Sequence, residues 1–382
     1  MQVVYAREPM PNSFSRSIFL AGPTPRDENT QSWRPHALKI LKRLKYDGVV
    51  FVPEPSGFTW NVEFDYHEQV EWEEAAIHRS DCIVFWLPRD MTKLPGITTN
   101  DEWGTWKHKV KCVLGYPKDA VKVGYQKKYA DDRKIAVTNK LEDTLQSALE
   151  FIGRGEYRVG GECDVPLMIW RRPEFKEWHR AQVSQGNIVR QARLSWIFSS
   201  KPGHVFFWAM HVSVYIAAEN RQKDNEVIVG RPDIAVAVMY YPKKTPELTE
   251  IVLVKEFRSP VRNPDGYVWE LPGGSSKIFA SSHDVILAEI EEETSLKLSR
   301  SRLRYHDTRQ LNSTSTIHHA KIFSVKLTQA EFAFLKERQG QIFGVSDDTE
   351  RTELHIISLR DINRMHHVDL VNLGIIHMVL CH

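Results

Sequence analysis

Along the N-terminal part of the chain, short apolar runs alternate with stretches whose apolar positions recur at helical spacing. Ser17-Ile-Phe-Leu-Ala21 is one such run and stops at Gly22-Pro23-Thr24-Pro25-Arg26; Val49-Val-Phe-Val52 and residues 82–87 are two more. Between them lie residues 32–46, with Trp33, Ala37, Ile40, Leu41 and Leu44 along one stripe, and residues 68–78, with Val70, Ala75, Ala76 and Ile77. Unbroken apolar runs are strands buried on both faces. Alternated with helices, they predict an α/β fold with a doubly wound, flavodoxin-like parallel sheet. Residues 1–16 read as a polar lead-in, and Leu141–Ile152 as the closing helix.

Gly153, Gly155, Gly160 and Gly161 follow, a composition that predicts a flexible linker at 154–163 between a first domain at 1–153 and a second at 164–382. A chain of 382 residues also exceeds the size at which a single core stops growing. In the second part Pro173 opens a helix, residues 204–217 alternate as strand, and 234–239, 250–254, 321–326 and 354–358 are further strands, an α+β pattern. Trp170, Trp178, Trp196 and Trp208 read as core or dimer interface, so a homodimer is expected.

The stretch 267–298 organises this second part. Val268 and Leu271 form a strand, Pro272 ends it, and Gly273 and Gly274 give a loop whose backbone can approach a ligand. A helix from about Ser282 then carries Glu289, Glu292 and Glu293 at i, i+3 and i+4, on one face. Clustered carboxylates are hard oxygen donors that suit Mg2+ or Mn2+; the plainer reading is an exposed acidic helix.

Charge is nearly balanced, 51 Lys+Arg against 49 Asp+Glu for a net +2, which argues against a dedicated nucleic-acid or membrane-surface binder. Cys82, Cys112, Cys163 and Cys381 form no Cys-x-x-Cys pair, so neither zinc nor a disulfide framework is implied and a reducing cytoplasm fits. The most apolar run, 205–218, is short and interrupted by His211, so no membrane span is expected. Lys107, Lys109, Lys111, Lys118, Lys122, Lys127 and Lys128 read as solvated surface, with steering of phosphorylated substrates as the alternative.

The spacing from Gly274 to Glu289, Glu292 and Glu293, with Ile290 and Leu296 at the apolar positions, resembles the box of the Nudix hydrolases. The resemblance implies an α/β/α sandwich, those glutamates as metal site, Glu289 also as a catalytic group, and hydrolysis of a nucleoside diphosphate derivative such as ADP-ribose. Three positions depart: Ala280 for a glutamate, Ala288 for an arginine and Ser295 for a glycine. The strands ahead of the box, with Glu256-Phe-Arg-Ser-Pro260, resemble the ADP-ribose and nucleoside-diphosphate-sugar branch, and Arg258, Gly273 and Gly274 are its candidate substrate contacts. The acidic loop Asp347-Asp348-Thr349-Glu350 is a further source of a ligand or base, or simply solvated.

Ile18-Phe-Leu-Ala-Gly-Pro23, Trp72-Glu73 eight residues before Asp81, and Thr98-Thr-Asn-Asp-Glu102-Trp-Gly104 together resemble the nucleoside 2-deoxyribosyltransferase family over about 15–152. The resemblance implies Glu102 as nucleophile and Glu73 as the acid that holds the base. Gly22, Pro23, Thr24, Asp81 and Asn100 become candidate substrate contacts. Read alone, Glu102 is a carboxylate near a helix start, and Glu71, Glu73 and Glu74 are a solvated helix face. The expectation is a bifunctional enzyme acting on nucleosides or nucleotides, with no cofactor in the first domain and Mg2+ or Mn2+ in the second. The alternative is a glycosidase or transferase regulated by a Nudix domain that senses a nucleotide.

Overall fold

The structure, a computed structural model, describes residues 1–25, 27, 29–57, 66–109, 111–201, 204–275, 281–344 and 351–381. Ala280 and the acidic loop at 347–350 lie outside the described residues. The chain divides into two compact units, Met1–Arg231 and Pro232–His382.

The first unit opens with β1 (Gln2–Tyr5), the short β2 (Ser13–Phe14) and β3 (Ser17–Ala21). There follow α1 (Arg34–Arg43), β4 (Val49–Val52), α2 (Tyr66–Arg79), β5 (Cys82–Trp86), α3 (Ile97–Trp106), β6 (Cys112–Gly115), α4 (Gly124–Asp132), β7 (Val137–Thr138) and α5 (Leu141–Ile152). Six strands make one sheet in the order β1-β4-β3-β5-β6-β7, every neighbouring pair parallel. Leaving out β1, the order is that of a flavodoxin-like sheet, whose ligand crevice lies at the carboxyl ends where the winding reverses, here between β3 and β5. Trp72, Ala76, Ile77, Trp103, Trp106 and Ala130 of α2, α3 and α4 pack on Phe19, Phe51, Ile83, Phe85 and Leu114. Burying each of those phenylalanines contributes about 1.5–3 kcal/mol. Helix α5 lies against β5 and β6, with α1 beside it.

Two expectations are corrected. The polar lead-in holds β1, an edge strand registered Gln2 to Val49 through Tyr5 to Val52. The lysine-rich stretch contains β6, and Lys111 at its start is buried, its ammonium donating to the carbonyls of Ile77, His78 and Ser80 at 2.8, 2.9 and 2.8 Å. Those carbonyls lie at and just past the end of α2, where helical partners run short, although Ile77 O also accepts from Ser80 N at 3.2 Å.

The glycine-rich stretch is likewise built into the first unit. β8 (Arg158–Val159) pairs antiparallel with β2. A Cβ on Gly155 would stand 2.8 Å from Ser15 Cβ and one on Gly161 2.2 Å from the backbone of Arg190, so these glycines serve close backbone approach rather than flexibility. After it come α6 (Leu167–Trp170), α7 (Pro173–Ser184), β9 (Ile188–Lys201), β10 (His204–Ile216) and β11 (Arg221–Gly230), the last three an antiparallel sheet in the order β11-β10-β9. Arg79 Nε pairs with Asp164 at 2.8 Å, Asp164 accepts from Ala192 N at 3.2 Å, and Lys109 Nζ donates to Leu194 O at 2.7 Å. These ties hold 164–231 to the parallel sheet, which is why the boundary between units falls at Arg231 rather than at 154–163.

The second unit comprises β12 (Ile234–Tyr241), β13 (Glu250–Phe257), β14 (Tyr267–Glu270), β15 (Gly273–Gly274), α8 (Ser282–Thr294), β16 (Arg304–Gln310), β17 (His319–Lys326), α9 (Gln329–Lys336), β18 (Ile342–Phe343), β19 (Thr352–Ser358), α10 (Leu359–Ile362) and α11 (Leu370–Leu380). Its mixed sheet runs β16-β17-β12-β13-β19-β18, with β14 on β13 and β15 on β12. Alternation along β12 sends Ala235, Ala237 and Met239 to one face, with Ile286, Ile290, Phe332 and Leu335 of α8 and α9. Val236 and Val238 go to the other, with Leu359, Ile362, Ile375 and Ile376 of α10 and α11. The period of two thus gives a sheet covered by helices on both faces.

Candidate active site

The crevice of the first unit is shaped by two glycines. A Cβ on Gly22 would stand 2.2 Å from Trp86 O, so the chain leaving β3 can cross the end of β5 only without a side chain. Gly96, left-handed at φ 61°, precedes α3 and packs against Pro23, where a Cβ would lie 2.8 Å from Pro23 Cγ. The Gly22-Pro23-Thr24 turn and the start of α3 therefore meet at the carboxyl ends of β3 and β5. Thr99, Trp103 and Trp106 bury one side of α3, with Trp103 edge-on to Phe85 at 5.1 Å. Glu102 falls at the margin of that side, half-buried.

Glu73 enters the same electrostatic neighbourhood from α2. It is half-buried where Glu71 and Glu74 are exposed, so the solvated-face reading fits those two and not Glu73. Gln69 Nε2 donates to Glu73 Oε1 at 2.6 Å. The Glu73 carboxyl is held above its ordinary range by burial, against the Gln69 hydrogen bond and the charge of Arg34. Glu102 is pushed up to about 8, first by burial and then by Glu73, with Arg34 opposing and Asp101 adding. Two carboxyls in one partly dehydrated crevice resist double ionisation, so they titrate as a pair.

Arg34, the cation common to both, is a residue the sequence pattern passed over; its one signal was a charge at the start of an amphipathic helix. It is 1% exposed. Its Nε donates to Leu20 O at 3.1 Å, Nη2 to Gly22 O at 2.7 Å, and Nη1 to Glu54 Oε1 at 2.5 Å and Thr24 Oγ1 at 3.3 Å. Glu54 also accepts from Ser32 Oγ. One side chain thus ties the β3 turn to the end of β4, and Gly22 and Thr24 are fixed through it.

Two expected contacts lie elsewhere. Asp81 stands at the amino end of β5, away from the crevice, and both its oxygens are taken: Arg158 Nη1 and Leu167 N reach Oδ1 at 2.8 Å each, Arg158 Nη2 and Ser17 N reach Oδ2 at 2.6 and 2.8 Å. It is a buried structural anion rather than a substrate contact. Asn100 is on the flank of α3 away from Glu102, its Oδ1 accepting from Arg89 Nη2 and Gln126 Nε2 at 2.7 Å each.

In the second unit, Gly273 and Gly274 are not a free loop. They pair with Val236 and Ala235 of β12, and a Cβ on Gly273 would stand 2.4 Å from Ala235 O. A Cβ on Gly274 would stand 2.2 Å from Glu289 Oε1, so that carboxylate occupies the hollow a side chain would fill. Glu293 is buried and its Oε2 accepts from Gly273 N at 3.1 Å, whereas Glu292 is exposed. Among the described residues no three His, Cys, Asp or Glu converge as a metal cluster, so the structure brings together Glu289, Glu293 and the glycines but not Glu292. Hard oxygen donors gathered at a glycine turn still fit a hydrated divalent ion, which takes one or two carboxylates and keeps its waters. Ser295 ends α8 left-handed at φ 56°, the conformation a glycine adopts without strain. Arg258 Nη2 pairs with Glu256 at 2.7 Å and Glu270 at 2.8 Å.

Residues 15–120 match the family model described as "Nucleoside 2-deoxyribosyltransferase like". Over that stretch, which carries Gly22, Glu73 and Glu102, the chain is similar to a family named for nucleoside chemistry. No curated protein matches the chain. A crystal structure of an ADP compounds hydrolase is similar at 10% identity and a TM-score of 0.35, covering 50% of this chain and 91% of its own. No helix among the described residues is long and apolar enough to cross a membrane.

Proposed function

We propose that the first unit breaks or transfers the N-glycosidic bond of a nucleoside or nucleotide, with Glu102 as nucleophile and Glu73 holding the departing base. What supports this is that Glu102 and Glu73, both half-buried, have pKa values raised by burial, with Glu73 acting on Glu102 and Arg34 opposing both, on helices beside the turn where Gly22-Pro23 meets Gly96. Breaking the bond between C1' and the base nitrogen builds positive charge at C1'. The Glu102 carboxylate closes on C1' as a glycosyl ester, the electron pair of the broken bond leaves with the base, and a proton from water neutralises it while Glu73 holds the base. Water, or a second base, then releases the sugar.

The pH dependence tests these roles. A nucleophile must be ionised, so kcat/KM for base release should rise with pH through about 8, the position to which Glu102 is pushed. Were Glu102 the proton donor, the limb would fall through the same pH. The assay is mass detection of free base from a panel of nucleosides and nucleotides, and a flat profile across that range would sink both assignments.

We infer further that the second unit hydrolyses a nucleoside diphosphate derivative such as ADP-ribose, on the strength of its resemblance to the Nudix box and of Glu289 seated over Gly274. Glu289 and Glu293, which meet the Gly273-Gly274 turn, would hold Mg2+ or Mn2+, which when bound neutralises phosphate oxygens and activates water. A second reading, a nucleotide sensor without turnover, is favoured by the engagement of Glu293 with Gly273 N and the exposure of Glu292. Hydrolysis of ADP-ribose should appear with Mg2+, vanish in EDTA, and be lost in Glu289→Gln, while base release by the first unit persists in EDTA. Nucleotide binding with no turnover at any metal concentration would establish the sensor instead.

A further inference from the structure

We propose that a cleft between α2 and β9 is a second ligand site in the first unit, built for a phosphate-bearing ligand of nucleotide size. The cavity has a volume of about 650 Å3, within the range of small-molecule sites. It is not the crevice of Glu102: its α2 wall is Glu71, Glu74, Ala75 and His78, and the helical repeat turns Glu73 away from that face.

Charge identifies the class of ligand. Arg79, Arg190 and Arg193 line the cleft with Glu71, Glu74 and Asp164, and Lys109 adds a fourth cation close enough to act on His78 in its wall. Two of those carboxylates are already committed, Asp164 to Arg79 and Ala192 N, and Glu74 to Arg193 Nη2 at 2.7 Å. Arg190 lies over the Tyr215 ring at 5.4 Å with no carboxylate in ion-pair reach among the described residues. His78 reports the resulting field. Although Glu74 is 3.8 Å from its Nε2, burial and then Lys111, Arg193 and Lys109 push it down to about 3. Three arginines and Lys109 against three carboxylates leave an excess of one positive charge, which matches a phosphate group, and guanidinium groups are the side chains that grip phosphate oxygens in pairs. The cavity exceeds what a diphosphate fills. The side-chain amides of Asn12 and Gln191, also in the lining, make no protein hydrogen bond among the described residues and are suited to the edge of a base.

The test reads His78 itself, so that ligand held elsewhere in the chain does not count. In full-length protein with isotope-labelled histidine, the His78 resonance is assigned with His78→Gln and followed during addition of ADP, pyrophosphate and adenosine. ADP and pyrophosphate should move it and adenosine should not. Arg190→Ala with Arg193→Ala, both at exposed positions, should weaken the ADP response by about tenfold or more, whereas Glu102→Gln and Glu289→Gln should leave it unchanged. A His78 resonance unmoved by ADP and pyrophosphate up to about 1 mM, or moved equally in the double arginine variant, overturns the site. A response to adenosine alone overturns its phosphate character, and a response to pyrophosphate without ADP overturns its size.

Discussion

Glu102→Gln is expected to lower base release by on the order of a thousandfold or more, because it replaces the carboxylate proposed to bond to C1' by a weakly nucleophilic amide of the same size. At about 1.4 kcal/mol per tenfold, that is a loss of about 4 kcal/mol of transition-state stabilisation. The same substitution should raise thermal stability in mildly alkaline buffer. The folded pKa of Glu102 is raised from 4.5 to about 8, so the stability tied to its protonated form is complete below 4.5 and is lost as pH rises through about 8. Glutamine, which has no charge to dehydrate, escapes that loss, so the gap between variant and wild type should widen from pH 5 to pH 9. A dead enzyme with a higher Tm at pH 9 than at pH 5 relative to wild type marks a site that trades stability for chemistry. Wild-type rates of base release in Glu102→Gln would falsify the assignment.

Cutting the chain after Gly153 should abolish the fold of the first unit, whereas a fragment ending at Arg231 should fold. The shorter fragment loses Arg158 and the Leu167 amide, leaving the Asp81 carboxylate, 2% exposed, with only Ser17. Stranding one member of a buried ion pair costs about 3–5 kcal/mol, a large share of the roughly 5–15 kcal/mol that holds a domain together. In the longer fragment Arg158→Met should show the same order of loss by urea unfolding, and adding Asp81→Asn should recover part of it, since a neutral amide is cheaper to bury than a lone carboxylate. Equal unfolding midpoints for the fragments ending at 153 and 231 would show that the sheet does not depend on Arg158.

How much of this is legible in the sequence follows from the same residues. The parallel sheet was legible because β3, β4 and β5 are buried on both faces and read as unbroken apolar runs, and Leu141–Ile152 because its apolar stripe is clean. β1 escaped because an edge strand alternates, and β6 because Lys111 and Cys112 disguise four buried positions at the end of a lysine run. Gly155 and Gly161 looked flexible because composition does not distinguish a glycine that frees the chain from one that lets Ser15 or Arg190 come close. In the crevice, motifs point to Glu73 and Glu102, while none points to Arg34. Its partners Leu20, Gly22, Thr24 and Glu54 are brought to it by the crossover between strands, and no local spacing records that.

Arg34 also bears on how the crevice behaves during a reaction. With Nε and both terminal nitrogens anchored on backbone, hydroxyl and Glu54, its positive pole would have no rotamer to swing to as charge shifts in the proposed reaction. In the proposed reaction the field acting on Glu73 and Glu102 would therefore be set when the chain folds and not rebuilt at each turnover, keeping the reorganisation energy of the step low.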